Sequence, residues 1–227
     1  MILKDKFAVI YGAGGAIGSA VARAFASEGA NLFLTGRHLA PVEAVAEEIA
    51  SAGGSAEAAD VDALDEQAVD RHLQSVTEKV GRVDISFNAI GIPNPKVRVP
   101  LAELDVEQFS LPIATCTRSY FLTARLAAVE ALTRGLSAEL APQGIRVVGL
   151  RPQGIPETGR IKESFQLYAQ ASGMTWEQFH ELGASRTHTR RLSTLAEMAH
   201  VAVFMASDRA SGMTGTIVNL SMGSLDD

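Results

Sequence analysis

Cysteine is all but absent from this chain. Cys116 is the single one among 227 residues, so no internal disulfide can form and the fold must rest on buried apolar surface. A chain of this length buries enough of it to need neither disulfides nor a structural metal, and corresponds to one domain. An excess of positive charge is missing too. Lys and Arg number 20 against 26 Asp and Glu, a formal charge of −6, which excludes the global basic field that gathers nucleic acid. No apolar run approaches the roughly 18–20 residues of a membrane span, and Met1-Ile2-Leu3-Lys4-Asp5-Lys6 lacks the architecture of a secretion signal. The histidines His38, His72, His180, His188 and His200 include no pair at metal-ligand spacing, so no metal site is expected. A soluble cytoplasmic protein without a nucleic-acid or membrane partner is the expectation.

What is present is an alternation of short β-type runs with longer helical segments. Strands are predicted at Phe7–Tyr11, Leu32–Thr35, Ser55–Val61, Val83–Ala89, Ile145–Leu150 and Thr216–Leu220. Helices are predicted at Ala16–Ser27, Pro41–Ala52, Glu66–Val80, Glu130–Leu140 and Leu195–Ala206, several of them closed by glycine. This order predicts a single-domain α/β fold, a doubly wound parallel sheet with helices on both faces. The less regular stretch 153–193 carries Phe165, Tyr168, Trp176 and Phe179 and reads as an insertion over the sheet, a lid above a substrate.

The first strand runs into YGAGGAIGSA, Tyr11 to Ala20. Glycines at such a strand-to-helix turn let backbone approach a pyrophosphate, whose charge faces the helix N-terminus. Taken alone, the same glycines are equally well simple turn chemistry. Their spacing, Gly12, Gly14, Gly15 and Gly18, resembles the T-G-x-x-x-G-x-G fingerprint of the short-chain dehydrogenases/reductases, with Tyr11 for Thr and Ala16 for the middle Gly. Four further segments resemble that family in order: Asp60-Val61, Asn88-Ala89-Ile90-Gly91, the run LSAELAPQGIRVVGLRPQGI from Leu136 to Ile155, and Met213-Thr214-Gly215. The likeness spans nearly the whole chain and implies a Rossmann fold binding NADP or NAD. It places the pyrophosphate over Gly12, Gly14, Gly15, Ala16, Ile17 and Gly18, and adenine at Asp60 and Val61. The nicotinamide falls between Asn88, Ala89 and Gly91 on one side and Pro152, Gly154, Ile155 and Thr158 on the other. The departures in that last stretch are Gln153, inserted between Pro152 and Gly154, and a shifted spacing to Thr158.

The second strand ends in Thr35-Gly36-Arg37, with no acid to accept the ribose hydroxyls. Arg37 can pair with a 2′-phosphate, which favours NADP over NAD. A solvated arginine at a helix start is the plain alternative.

The resemblance also implies a Tyr acting as acid and base, a Lys four residues later that lowers its pKa, and a Ser upstream that holds a substrate carbonyl. None of these can be assigned. The residues four beyond Tyr11, Tyr120 and Tyr168 are Gly15, Ala124 and Ser172, so no catalytic residue is named. SYFLTARLAA, Ser119 to Ala128, resembles the helix after the fourth strand, while AAVEALTRGL, Ala127 to Leu136, resembles the later part of the Tyr/Lys helix. Near residues 126–129, then, about thirty residues are absent, roughly one βαβ unit. The absent strand belongs in the middle of the sheet, where its loss exposes apolar surface and unpaired backbone. That cost makes an omission from the sequence as written the expectation. A true deletion, leaving a dinucleotide-binding sensor or scaffold with no active site, is the alternative. Cys116 stands where the family often has an Asn of the proton relay, and reads as a small apolar helix residue. Asn219-Leu220-Ser221-Met222-Gly223 stands where relatives read V-D-G-G.

RTHTRR, Arg186 to Arg191, reads as a solvated basic turn or an anion contact. The resemblance implies an oxidoreductase moving hydride between nicotinamide and a small carbonyl or alcohol substrate, assembled as a homodimer or homotetramer.

Overall fold

The computed structural model describes residues 1–91, 106–107, 110–111, 114–115, 118 and 129–224. Cys116, Tyr120 and the junction at 126–128 lie outside them. The strands are β1 (Phe7–Tyr11), β2 (Asn31–Gly36), β3 (Ser55–Asp60), β4 (Ile85–Asn88), β5 (Val148–Pro152) and β6 (Thr216–Leu220). The helices are α1 (Ala16–Ser27), α2 (Leu39–Ser51), α3 (Glu66–Val80), α4 (Val129–Leu140), α5 (Gly159–Ala171), α6 (Trp176–Ser185) and α7 (Leu195–Ala206).

Local chemistry sets most of these boundaries. Asp65 starts α3 by accepting the backbone N–H groups of Gln67 and Ala68, and Gly81 ends it in the left-handed conformation. Thr194 and Glu197 form a reciprocal capping box at the start of α7. The region 159–185 is more regular than predicted, because Thr158 and Thr175 each cap a helix with their side chains. Phe165 packs edge-on against Phe179 with ring centroids 5.4 Å apart, and also meets Trp176, which joins α5 to α6. Strand β5 begins three residues later than predicted. The Arg146 guanidinium leaves the strand line to reach the carbonyls of Met213 and Ser207.

The strands pair in parallel as β3-β2-β1-β4 and, separately, β5-β6. Both groups lay one face on the same helical layer: Ile10 and Leu34 with Phe87, Leu150 and Leu220 pack with Phe25 of α1 and Met198 of α7 in one apolar cluster. Tyr11, Val9 and Phe33 face the other way, against Val69 and Val76 of α3. Strands covered on both faces read as continuous apolar runs, and β1 and β2 are buried over four successive residues each. The remaining strands differ: β3, β4, β5 and β6 contain no fully buried residue. Among the described residues no strand joins β4 to β5.

Candidate functional site

The backbone of the glycine turn is fixed from outside it. The N–H groups of Gly12 and Ala13 both donate to the Thr35 carbonyl of β2 at 2.9 Å, and Ala89 N–H donates to the Tyr11 carbonyl. Gly12 has φ +77°, and a Cβ there would stand 3.0 Å from the Ala89 carbonyl oxygen. Any other L-residue is therefore both strained and crowded. Gly18 sits one turn into α1, where a Cβ would lie 2.3 Å from the Gly12 oxygen. Gly14 is pressed against Pro41 of α2. The glycines thus serve the protein's own packing, which brings α1 down onto the turn with its first N–H groups directed past the ends of the strands.

Helices α3, α5, α6 and α7 begin with a side chain accepting a backbone N–H. At α2 the N-cap His38 makes no such bond, and at α1 the N-cap is Gly15, with no side-chain cap over Ala16, Ile17 and Gly18. The first turn of any helix carries unsatisfied donors and a partial positive charge, so this terminus offers both to an anion.

The other sequence-predicted residues gather at the same, C-terminal, edge of the strands. Arg37 follows β2 directly and is exposed. Gly36 before it has no room for a side chain, since a Cβ would meet Val42 Cγ2 of α2 at 2.8 Å. Asp60 closes β3, and Val61 is buried with its N–H on the Gly36 carbonyl. Asn88 closes β4, its Oδ1 accepting the Ile90 N–H at 2.9 Å, and the exposed Gly91 follows. Pro152 closes β5. Gly154 packs near Phe165, and Ile155 is buried in the core between the sheet and α7. The Thr158 hydroxyl donates to the Ile155 carbonyl and accepts the Ile161 N–H, so it shapes the start of α5. Each of the sixteen predicted positions thus lies at the C-terminal end of its own strand or in the turn or helix start that follows it, the end at which open α/β folds take their ligands.

Tyr11, standing for the family's Thr, is wholly buried under the turn, and its Oη has no hydrogen-bond partner among the described residues. Burial pushes the phenol pKa up and the charge of Asp70 adds to the effect, so Tyr11 stays protonated at neutral pH and is no substitute for a catalytic tyrosine. Among the described residues no group of three or more His, Cys, Asp or Glu could hold a metal ion, and no helix is long and apolar enough to cross a membrane.

A glycine turn tied to β2 and β4, an uncapped first helix and a parallel sheet wound on both sides define a dinucleotide-binding α/β protein of the Rossmann type. Residues 6–127 match the family model for short chain dehydrogenase, and residues 123–224 match that for enoyl-(acyl carrier protein) reductase. The chain belongs to the short-chain dehydrogenase/reductase family. It is 29% identical to an uncharacterized oxidoreductase, YxbG, of Bacillus subtilis, over 97% of this chain and 91% of the relative. It is 26% identical to the 7alpha-hydroxysteroid dehydrogenase of Escherichia coli K12, over 99% of this chain and 96% of the relative. In fold it is similar to sorbitol-6-phosphate 2-dehydrogenase SrlD of Erwinia amylovora, with TM-score 0.88, 22% identity and coverage of 97% and 100%. The YxbG alignment runs over 255 positions, more than the 227 residues of this chain, so the relative carries residues that have no counterpart here. The two family matches meet within residues 123–127.

Proposed function

We propose that the protein is an NADP(H)-dependent oxidoreductase that moves hydride between the nicotinamide and a small carbonyl or alcohol substrate. The observation that carries this reading is the uncapped N-terminus of α1 over a glycine turn locked to β2 and β4, in a chain of this family. The N–H groups of Ala16, Ile17 and Gly18 bind the pyrophosphate, above a turn whose course Gly12 and Gly14 set by their close packing on Ala89 and Pro41. Arg37 binds the 2′-phosphate, with NAD as the alternative cofactor where that contact is not used. Asp60 and Val61 flank adenine. Asn88, Ala89 and Gly91 face Pro152, Gly154, Ile155 and Thr158 across the nicotinamide. When bound, the dinucleotide supplies the hydride, while this chain orients it and screens it from water beneath α5 and α6, the lid of segment 153–193. Low cysteine content and acidic charge fit a cytoplasmic enzyme, and a homodimer or homotetramer is its assembly.

One observation favours a second reading. None of the three tyrosines is followed by Lys four residues on. On that reading the chain binds the dinucleotide and does not turn it over. Titration of NADPH fluorescence, followed by NADPH oxidation with a panel of ketones and aldehydes, separates the two. Turnover establishes the enzyme, tight binding without turnover leaves the scaffold, and absence of binding refutes both. Intact mass belongs with this test. A value near 24.0 kDa makes the junction a true deletion, and one about 3 kDa higher corresponds to a restored βαβ unit of roughly thirty residues.

A further inference from the structure

Four aromatic rings stand together on α5 and α6. The Phe165 centroid lies 5.4 Å from that of Phe179 and 6.1 Å from that of Trp176, and Tyr168 stacks on Phe179 at 6.3 Å. Rings at such distances commonly hold helices together inside a core. Here no core surrounds them. Helix α6 contains no buried residue, Phe165, Trp176 and Phe179 are each partly exposed, and Tyr168 is 52% exposed. Among the described elements, α5 and α6 pack on each other and on no other helix or strand to a comparable extent. At one end the rings meet the candidate cofactor site. Gly154 lies two residues beyond β5, and a Cβ there would stand 3.4 Å from Phe165 Cζ and 3.9 Å from Leu192 Cδ2. Leu192 in turn reaches α6, where a Cβ at Gly183 would lie 3.8 Å from its Cδ1. Phe165 and Leu192 thus form an apolar floor at the strand end, and Phe179 and Trp176 continue it outward. An apolar lining that stays open in the free protein, and that begins beside the reacting group, fits the non-reacting part of a substrate.

We propose that this surface binds the ring of an aryl-substituted ketone or alcohol, with the reacting carbon beside Gly154 and the ring against Phe165, Phe179 and Trp176. The word substrate, and the place of the reacting carbon, rest on the oxidoreductase reading. The aromatic surface itself is a property of α5 and α6. Aromatic pairs gain beyond the area they bury, because ring faces and edges carry opposite partial charge. A benzene ring therefore binds here more tightly than a saturated ring of the same size, although water expels the saturated ring more strongly.

The chain has one tryptophan, Trp176, so tryptophan emission reports this surface alone. The test saturates the full chain with NADP+, which has no hydride to give a ketone, and titrates 2-tetralone, 2-decalone and cyclohexanone while heat and emission are recorded. 2-Tetralone is expected to bind about 10- to 100-fold more tightly than cyclohexanone. It is expected to bind about 2- to 10-fold more tightly than 2-decalone, and to move Trp176 emission to shorter wavelength as water leaves the indole. Trp176→Leu keeps an apolar side chain and removes the ring, so the heats should then show 2-tetralone and 2-decalone binding alike. Phe179→Leu is read in the same way if Trp176→Leu does not fold. Binding of 2-decalone as tight as that of 2-tetralone overturns the proposal, as does a preference that survives both substitutions or an emission that does not move. Emission that shifts with protein concentration alone, without response to the ketones, places a second copy of the chain on this face and overturns it too. If NADP+ itself does not bind, the oxidoreductase reading falls, and the same titrations on the cofactor-free chain decide the aromatic surface alone. A preference for 2-tetralone with an emission shift there upholds it, and its absence refutes it.

Discussion

Replacing Gly18 by Ala sets two opposing effects against each other inside one helix. Gly18 lies within α1, where Ala is the better helix former by about 1 kcal/mol. The added Cβ, however, would stand 2.3 Å from the Gly12 carbonyl oxygen and 2.9 Å from Ala13 Cα, both backbone atoms that cannot rotate away. Relief requires a shift of roughly 1 Å, either lifting α1 off α7 or pulling Gly12 and Ala13 away from the Thr35 carbonyl they share. Overpacking of this kind costs about 1–3 kcal/mol, and two weakened hydrogen bonds add about 1 kcal/mol each. The clash wins, for a net loss of about 2–4 kcal/mol, or roughly 4–16 °C in Tm for a chain of this size. Gly135 in α4 supplies the control, since a Cβ there meets nothing within 4 Å. Gly135→Ala should raise Tm by up to about 4 °C from helix propensity alone. Thermal melts followed by circular dichroism read both. An unchanged or higher Tm for Gly18→Ala would refute the claim that α1 is pressed onto the turn.

Arg37→Ala should weaken NADPH binding about 10- to 100-fold in fluorescence titrations while leaving NADH nearly unchanged, because only the 2′-phosphate contact is lost; equal losses for both cofactors would remove Arg37 from the site. Burial lowers the His72 pKa below the ordinary imidazole value. Between the two values the unfolded chain binds more protons, so His72 lowers stability as pH falls below about 6.5. In urea melts His72→Leu should flatten that part of the pH profile, and an unchanged slope would contradict it. Thr194→Ala removes the side-chain cap of α7 and should cost about 1 kcal/mol, or 2–4 °C in Tm. A Tm unchanged by that substitution would show the capping box to contribute nothing.

The N-terminal half of the fold was legible because its signals are local. Phe7–Tyr11 and Leu32–Leu34 are apolar runs between turn residues, and Asp65 with Gly81 marks both ends of α3. The glycine turn was legible as a motif, but the reason for its individual glycines was not. Pro41, Ala89 and Thr35, which set them, are distant in sequence. The two helices of 159–185 carried readable signals in Thr158 and in the Thr175/Gln178 pair. That the described strands pair in two groups, β3-β2-β1-β4 and β5-β6, is a tertiary fact that no strand announces.

The packing at Gly36 has a consequence for how cofactor preference can change over generations. An acid at that position, the residue that would hold the free ribose hydroxyls of NAD, runs into Val42, a stiff β-branched side chain buried in the core. Trimming Val42 first opens a cavity costing a few kcal/mol, and introducing the acid first creates the clash. Either order passes through a weakened intermediate, whereas loss of the Arg37 contact takes a single surface change. On the proposed NADP(H) reading, a change to NAD is easy to begin and hard to complete, because the contact that blocks an acid at residue 36 lies in the core and never touches the nucleotide.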